Sequence, residues 1–588
     1  MKSALGIWLL AAGTLAGLAA GEPLAFSGLE TRDPRVREYL LPVRVLWQSP
    51  AESCVVHDAQ QLLEPFSGQI TLGRGPACIM RNNGRAPGIL LDFGREIQGG
   101  IQITVANLRP SSEQSRTTPM RIRFGESAAE AMSELGGDTD ATNDHAVRDE
   151  TILLPRSGAA ELGNTGFRFV RLDLVESNSF AELRGVRAIS LHRELPAVGA
   201  FRCNDERLNR VWETGAYTVF LNLQEYLWDG IKRDRVVWIG DMHPEVSTVE
   251  AVFGSIPVVP VSLDLVRNTT PLPQWMNDIG SYSMWWILIQ RDWYRQSGDL
   301  AYLREQQAYL AGLLDLLARQ VGPDGAEKIP GRRFLDWPSS GNEKAIHAGL
   351  HSLMILTFEA GTELASALGD AASEQLCAKA LAALRKHIPD HGGSKQAAAL
   401  MALAGLGDPA RLNRQVMAVD GPMRLSTFYG YYVLEARAKA GDYQGCLDAI
   451  RQYWGAMLDL GATTFWEDFN LEWTNNAARI DDLVPPDKKD IHGAYGAYCY
   501  KGYRHSLCHG WASGPTPWLS RHVLGVQILE PGCAAVRIDP HLGDLQWVEG
   551  AFPTPKGPIK IRHEKRPDGT IQSDIQAPPG IRIERGRN

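Results

Sequence analysis

The chain lacks several things. Sixty Lys and Arg residues against 68 Asp and Glu give a formal charge of −8, without the basic excess that phosphate-tracking proteins carry. Nucleic acid is therefore not an expected partner. Beyond the first twenty residues no stretch approaches the ~20 uninterrupted apolar residues of a membrane span, so the mature chain is not expected to enter a membrane. Cysteine is sparse, eight in 588 residues, with no Cys-x-x-Cys and no Cys/His spacing of a structural zinc site. An even count permits disulfides in an exported chain, and Cys54–Cys78 is the pair to test. Disorder is excluded too, because 44% of residues are hydrophobic and 22% charged. What the chain has in plenty is tryptophan: sixteen, equal to Phe and to Tyr. Large cores or sugar-stacking surfaces would each absorb them.

Residues 1–20 read as a signal peptide. Lys2 supplies the positive end, Ala4–Ala16 an uncharged apolar stretch, and Gly17, Ala19 and Gly21 small residues for cleavage. The mature protein is expected to be exported, to the periplasm or beyond. Residues 21–198 carry strand signals, among them Gly88–Gly94, Gly100–Val105 and Phe167–Leu174, short runs bounded by turn formers. They suggest an N-terminal β-sandwich. Between 199 and 524 the pattern becomes helical, punctuated by Gly298-Asp299, Gly369-Asp370, Gly407-Asp408 and Gly441-Asp442. In each pair Gly can end one helix in the left-handed conformation and Asp can cap the next. The spacing of 34–38 residues, once doubled to 71, fits one helical hairpin per unit and about six units. A closed (α/α)6 barrel is favoured over an open α-solenoid. Strand signals return at 526–529, 535–538 and 559–562, so residues 525–588 read as a small C-terminal β-domain, completed by strands from elsewhere. The expected fold is thus multidomain: a central (α/α)6 barrel between two β-domains.

Three polar constellations lie in the helical region. The densest is Asp229–Asp241, with three Asp, three basic residues and Trp238. Such a loop can set a carboxyl between a positive charge and an apolar wall, and both shift its pKa. The second is Gly461-Ala-Thr-Thr-Phe-Trp-Glu-Asp468, where Glu467 follows Trp466. The third is Ser506–Pro515, with His509 and Trp511. Weaker candidates are Asp278 with Trp285 and Trp286, and Asp336 with Trp337. Inverting glycoside hydrolysis needs one protonated and one ionised carboxyl about 6.5–9.5 Å apart, and loops on one rim of a helical ring can supply them.

These motifs resemble those of bacterial α-L-rhamnosidases of glycoside hydrolase family 78. The Asp229–Asp241 stretch is similar to the family's Asp-Cys-Pro-x-Arg-Glu-x-x-Gly-(Trp/Tyr)-x-Gly-Asp signature, with Asp229, Arg233, Trp238, Gly240 and Asp241 keeping their type. Gly230-Ile231 stands for Cys-Pro, and Asp234 falls on the family's acid, Glu. The resemblance implies Glu467 as general base, His509 as a sugar-binding residue, and Trp285 or Trp286 with Trp337 as pocket walls. Leu91–Gly94 and Phe124–Glu126 resemble the accessory β-domain.

The resemblance implies a six-hairpin glycosidase that removes terminal α-L-rhamnosyl or closely similar residues with inversion. Asp234 would be the acid and Glu467 the base. Asp229, Arg233, Trp238, Asp241, Asp278, Trp285, Trp286, Asp336, Trp337, His509 and Trp511 would bind the carbohydrate, and no metal or organic cofactor is required. A polysaccharide lyase on a similar toroid and an inactive glycan-binding protein stay open as alternatives.

Overall fold

A computed structural model describes residues 33–50, 54–71 and 75–586. The signal-peptide reading falls on residues 1–20, outside the described residues. The N-terminal domain is a nine-stranded sheet rather than two separate ones. Its hydrogen-bonded path runs through Cys54–His57, Cys78–Asn82, Ser179–Arg193, Gly88–Arg109, Gly158–Leu174, Thr117–Gly125 and Asp149–Pro155. Arg35–Leu40 lies beside Ser179–Arg193, and Arg44–Gln48 beside Gly88–Arg109. The two short strands expected at 88–94 and 100–105 are halves of one 22-residue strand. Its register against Gly158–Leu174 shifts between Asp92 and Ile97 and again after Gly99. Gly99 has φ +144°, and a Cβ there would lie 2.0 Å from the Ile189 carbonyl oxygen. Glycine therefore lets the strand bend where a turn was expected.

The helices are α1 (Ala128–Met132), attached to the sheet, then α2 (Glu206–Asn222), α3 (Met242–Val252), α4 (Val258–Thr269), α5 (Gly280–Ser297), α6 (Leu300–Ala318), α7 (Glu343–Leu368), α8 (Ala371–Leu384), α9 (Lys395–Leu403), α10 (Pro409–Leu412), α11 (Gly430–Lys439), α12 (Tyr443–Asp459) and α13 (Pro515–Trp518). Successive odd-numbered helices from α3 to α13 touch in turn, and α13 returns to α3. These inner helices are not the amphipathic ones the sequence suggested. All eleven residues of α3 are buried, as befits a helix enclosed by others. The amphipathic α2 and α12 pack together outside them.

The Gly-Asp punctuation works as a set of caps. Gly298 and Gly369 end α5 and α7 left-handed. Asp299, Asp370, Asp408 and Asp442 accept backbone N–H groups at the starts of α6, α8, α10 and α12. At the third mark the left-handed residue is Gly405, two positions before Gly407. Between α12 and α13 the chain runs through 55 residues with only short turns and two-residue strands.

Strands Trp547–Phe552, Ile559–Lys565 and Ile571–Gln576 form the C-terminal sheet, and its fourth strand is Ala200–Cys203 from the entry to the helical domain. The expectation of a strand borrowed from elsewhere is met there. All eight cysteines are free, which corrects the Cys54–Cys78 pairing. Cys54 faces Asn82 across the ladder, four residues from Cys78, too far for the ~5.5 Å Cα separation of a disulfide.

Candidate active site

Three distant segments are stitched into one rim. Glu467 N donates to Ser506 O at 3.0 Å, His509 N to Phe465 O at 2.9 Å, and Gly510 N to Asp229 O at 2.8 Å. Gly230 bridges His509. The motif glycine Gly240 has a steric reason: a Cβ there would sit 2.3 Å from the Tyr282 ring. Asp234 and Arg235 both adopt positive φ, 54° and 60°. A consecutive non-glycine pair in this region holds strain, which accumulates at sites that need a fixed side-chain direction.

Asp229, Arg233, Asp234, Trp238, Asp241, Trp337, Glu467, His509 and Trp511 line one cavity of about 280 Å³. Arg233 pairs with Glu467 Oε1, and Ser506 N donates to Glu467 Oε2 at 3.3 Å. His509 lies between two carboxylates, Nε2 3.0 Å from Asp241 Oδ2 and Nδ1 3.7 Å from Glu467 Oε1. Tyr282 donates to Asp241 Oδ1 at 2.8 Å. Trp238 Nε1 donates to Asp234 Oδ2 at 3.0 Å. Trp511 Nε1 and Thr427 Oγ1 hold the Glu467 carbonyl.

Burial pushes the Asp229 carboxyl well above the ordinary range, and the charges of Asp234 and Asp241 push the same way. Asp241 is raised by burial as well, although bonds from His509 and Tyr282 oppose the rise. Burial works against the Arg233 charge, yet the Glu467 and Asp234 carboxylates outweigh it and strengthen its hold on the proton. The site therefore concentrates carboxyls in a poorly solvated place and pairs one of them, Glu467, with a fixed guanidinium.

Four sequence candidates lie elsewhere. Trp286 is fully buried, its Nε1 donating to Leu263 O at 3.4 Å. Trp285 stacks on Tyr432 at 4.7 Å and lines a second cavity of about 360 Å³ farther along the inner helices. Asp336 is buried as a cap, accepting Trp337 N and Ser426 Oγ, and burial pushes it up to about 7. Asp278 stands in a left-handed turn before α5 and does not line the cavity. Trp466, next to Glu467, packs edge-on against Phe469. Several residues that do line the cavity carried no sequence signal: Tyr282, Arg332, Phe334, Cys499, Tyr500 and Arg504. Tyr500 lies under the Arg233 guanidinium, 4.7 Å from ring centroid to carbon. Only their places in the fold mark them out: Tyr282 in the first turn of α5, the others on loops before α7 or between α12 and α13.

The described residues hold one Glu/Glu/His group compact enough for a metal, Glu126, Glu130 and His492. Its cation is a lysine: Lys232 Nζ lies 2.9 Å from Glu126 Oε2 and 3.3 Å from Glu130 Oε1.

Carboxyls, an imidazole and a guanidinium ringed by indoles make a pocket suited to sugar hydroxyls and sugar C–H faces, on a domain of helical hairpins. Two family models match the chain. The bacterial alpha-L-rhamnosidase 6 hairpin glycosidase domain covers residues 196–392, and the bacterial alpha-L-rhamnosidase C-terminal domain covers 525–584. Residues 196–392 and 525–584 thus match domains of bacterial α-L-rhamnosidases, and the resemblance read from the motifs is borne out. The first match includes Asp229–Asp241 and ends before Glu467. No curated protein sequence matches the chain.

Among solved structures, the chain is similar to a GH78 family rhamnosidase of Bacillus sp. GL1 (22% identity, TM-score 0.70, covering 90% of this chain and 55% of that one). It is also similar to a Streptomyces avermitilis α-L-rhamnosidase complexed with L-rhamnose (16%, TM-score 0.64, 92% and 50%). A Klebsiella oxytoca rhamnosidase with rhamnose bound is a third (18%, TM-score 0.60, 83% and 96%). At such identities the likeness is one of fold. The chain spans little more than half the length of the first two.

Proposed function

We propose that the protein is an inverting glycoside hydrolase acting on terminal α-L-rhamnosyl or closely similar residues, with its hairpins closed as an (α/α)6 barrel. The observation that carries this reading is that Asp234 and Glu467, 233 residues apart in sequence, line one cavity with Trp238, Trp337 and Trp511. Asp234 transfers its proton to the glycosidic oxygen as the C–O bond breaks and the electron pair leaves with that oxygen. Glu467 takes a proton from the water that attacks the anomeric carbon from the opposite face. Solvent then returns a proton to Asp234 and removes one from Glu467. Asp229, Arg233, Asp241 and His509 bind ring hydroxyls. An N-terminal signal directs export in this reading.

The test is incubation with aryl glycosides of L-rhamnose and of other deoxy and uronic sugars, with NMR of the first product. Release of β-L-rhamnose is expected. Release of the α-anomer overturns inversion, and an unsaturated product would establish a lyase. Asp234→Asn should abolish turnover of glycosides with poor leaving groups and Glu467→Gln that of all of them, with both variants still folded.

A further inference from the structure

The N-terminal sheet domain does not line the cavity, but its His145 touches one of the residues that do, Asp234. His145 lies in the loop between Thr117–Gly125 and Asp149–Pro155, about 90 residues before the Asp229–Asp241 motif and outside both matched family domains. Its Nδ1 is 3.3 Å from Asp234 Oδ1. On the other side of the ring, Arg504 NH2 is 3.0 Å from Nε2. A guanidinium only donates, and at 3.0 Å it outcompetes the Asp144 carboxylate, 3.4 Å from the same Nε2; this favours the tautomer with the ring proton on Nδ1. That nitrogen approaches Asp234 Oδ1 at the distance, though not the alignment, of a hydrogen bond, as contacts at acid–base sites often do before substrate is bound. Arg504 is itself fixed by an ion pair with Asp144 and lines the same cavity. Thr142 Oγ1 bonds the same Asp144 carboxylate. The chain of contacts runs Asp144–Arg504–His145–Asp234, and alternates between the β-domain and the loop before α13.

We propose that His145 is a positioning residue for the reaction, holding Asp234 through Nδ1–H with the tautomer set by Arg504. This rests on Asp234 being the general acid. As Asp234 gives up its proton, negative charge develops on its carboxylate. Trp238 Nε1–H on Oδ2 and His145 Nδ1–H on Oδ1 are then the two fixed donors that receive this charge, one from each domain. Donors aimed at charge that grows toward the transition state accelerate the step without reorganising. They also fix which way a short, left-handed Asp points. The sheet domain thus completes the active site instead of accompanying it.

Acid assistance matters most when the leaving oxygen is a poor leaving group, and this gives a test that a merely structural role would not pass. Wild type, Asp234→Asn, His145→Ala, His145→Asn and His145→Gln are to be assayed on 2,4-dinitrophenyl α-L-rhamnoside and on a rhamnosyl-glucose disaccharide, with unfolding midpoints measured alongside. His145→Ala should lower kcat on the disaccharide by about 10–100-fold, change it little on the dinitrophenyl substrate, and leave KM and the midpoint near wild type. His145→Asn, whose amide N–H can replace Nδ1–H, should restore most of the loss, and His145→Gln should not. Equal losses on both substrates, no loss, or equal rescue by Gln and Asn would overturn the proposal. The outcomes separate it from the reading beneath it. If Asp234→Asn shows no dependence on the leaving group, Asp234 is not the acid and both fall. If Asp234→Asn shows it and His145→Ala does not, the role of His145 falls alone.

Discussion

Two cavities lie along the same inner helices, and they use charge in opposite ways. On α3, Asp241 at the start faces the candidate active site and Glu250 the second cavity. On α5, Tyr282 faces the first and Asp292 the second. Nine or ten residues separate each pair, about 14 Å of helix. Trp285, Tyr432 and His243 line the second cavity and stack on one another. The second cavity is the larger and also holds buried charge. Its charges, however, are on helices and largely satisfied among themselves. Arg291 donates to Asp292 at 2.7 Å, and Arg521 and His522 both reach Glu435 at 3.1 Å. In the first cavity, Asp229, Asp234, Asp241 and Glu467 stand with Arg233, Arg332, Arg504 and His509, three of the acids on loops. Volume and charge alone do not distinguish a site from a neutralised core; carboxyls carried on non-helical backbone do.

Exchanging a carboxylate for its amide in each cavity sharpens the contrast. The largest effect is expected for Glu467→Gln, a loss of turnover of at least 10²–10⁴-fold, roughly, together with a lowered calorimetric unfolding midpoint, because buried Arg233 loses its ionic partner. Glu435→Gln should cost stability without the loss of turnover. It takes the ionic partner from His522 and from partly exposed Arg521, which keeps its bond to Tyr431, and should cost about 1–3 kcal/mol of stability, read by denaturant unfolding, while kcat stays within twofold, roughly, of wild type. Burial opposes ionisation of Glu435, but Arg521 and His522 outweigh it and hold the carboxyl down to about 2. Its contribution is present above the ordinary Glu value of ~4.3 and lost as pH falls toward 2, so the gap between the two proteins should close over that interval.

A smaller effect of opposite sign is expected at Glu250, whose Oε1 has no partner among the described residues. Burial, aided by the nearby Asp292 charge, pushes it up to about 8. A carboxyl raised in the folded state contributes fully below its unfolded value near 4.3 and loses that contribution as pH rises to 8. Glu250→Gln should therefore stabilise the protein at pH 8, by about 1–3 kcal/mol, and hardly at all at pH 4.5 or so. Midpoints that do not diverge with pH would place Glu250 in solvent contact. The smallest effect is expected for Trp337→Phe, a several-fold rise in KM with the midpoint unchanged, since Trp337 lines the first cavity and stacks on Tyr498 at 5.3 Å.

Local chemistry was legible in the sequence where it was also local in space. The thirteen residues from Asp229 to Asp241 form one loop, so their spacing carried the motif intact. The Asp caps were legible because a cap acts over three residues. Trp285 and Trp286 could not be told apart as wall or core, since adjacent residues on a helix point about 100° apart and both are apolar enough for either. The 22-residue strand was divided in reading because Gly94 and Gly99 look like turns. Tyr282, Tyr500 and His145 carried no signal at all: a lone Tyr or His is ordinary, and only the fold brings them to Asp241, Arg233 and Asp234 respectively.

The strand Ala200–Cys203 pairs with Trp547–Phe552, about 350 residues later. On a ribosome its edge stays bare while the whole helical region is made, because its partner follows that region. Non-local pairing of this span delays completion, and a bare strand edge meanwhile invites other strands. The protein consequently has a vulnerable interval that ends only once Trp547–Phe552 has emerged. Chains cut short before Trp547 should collect as aggregates even when every residue of the candidate active site is present.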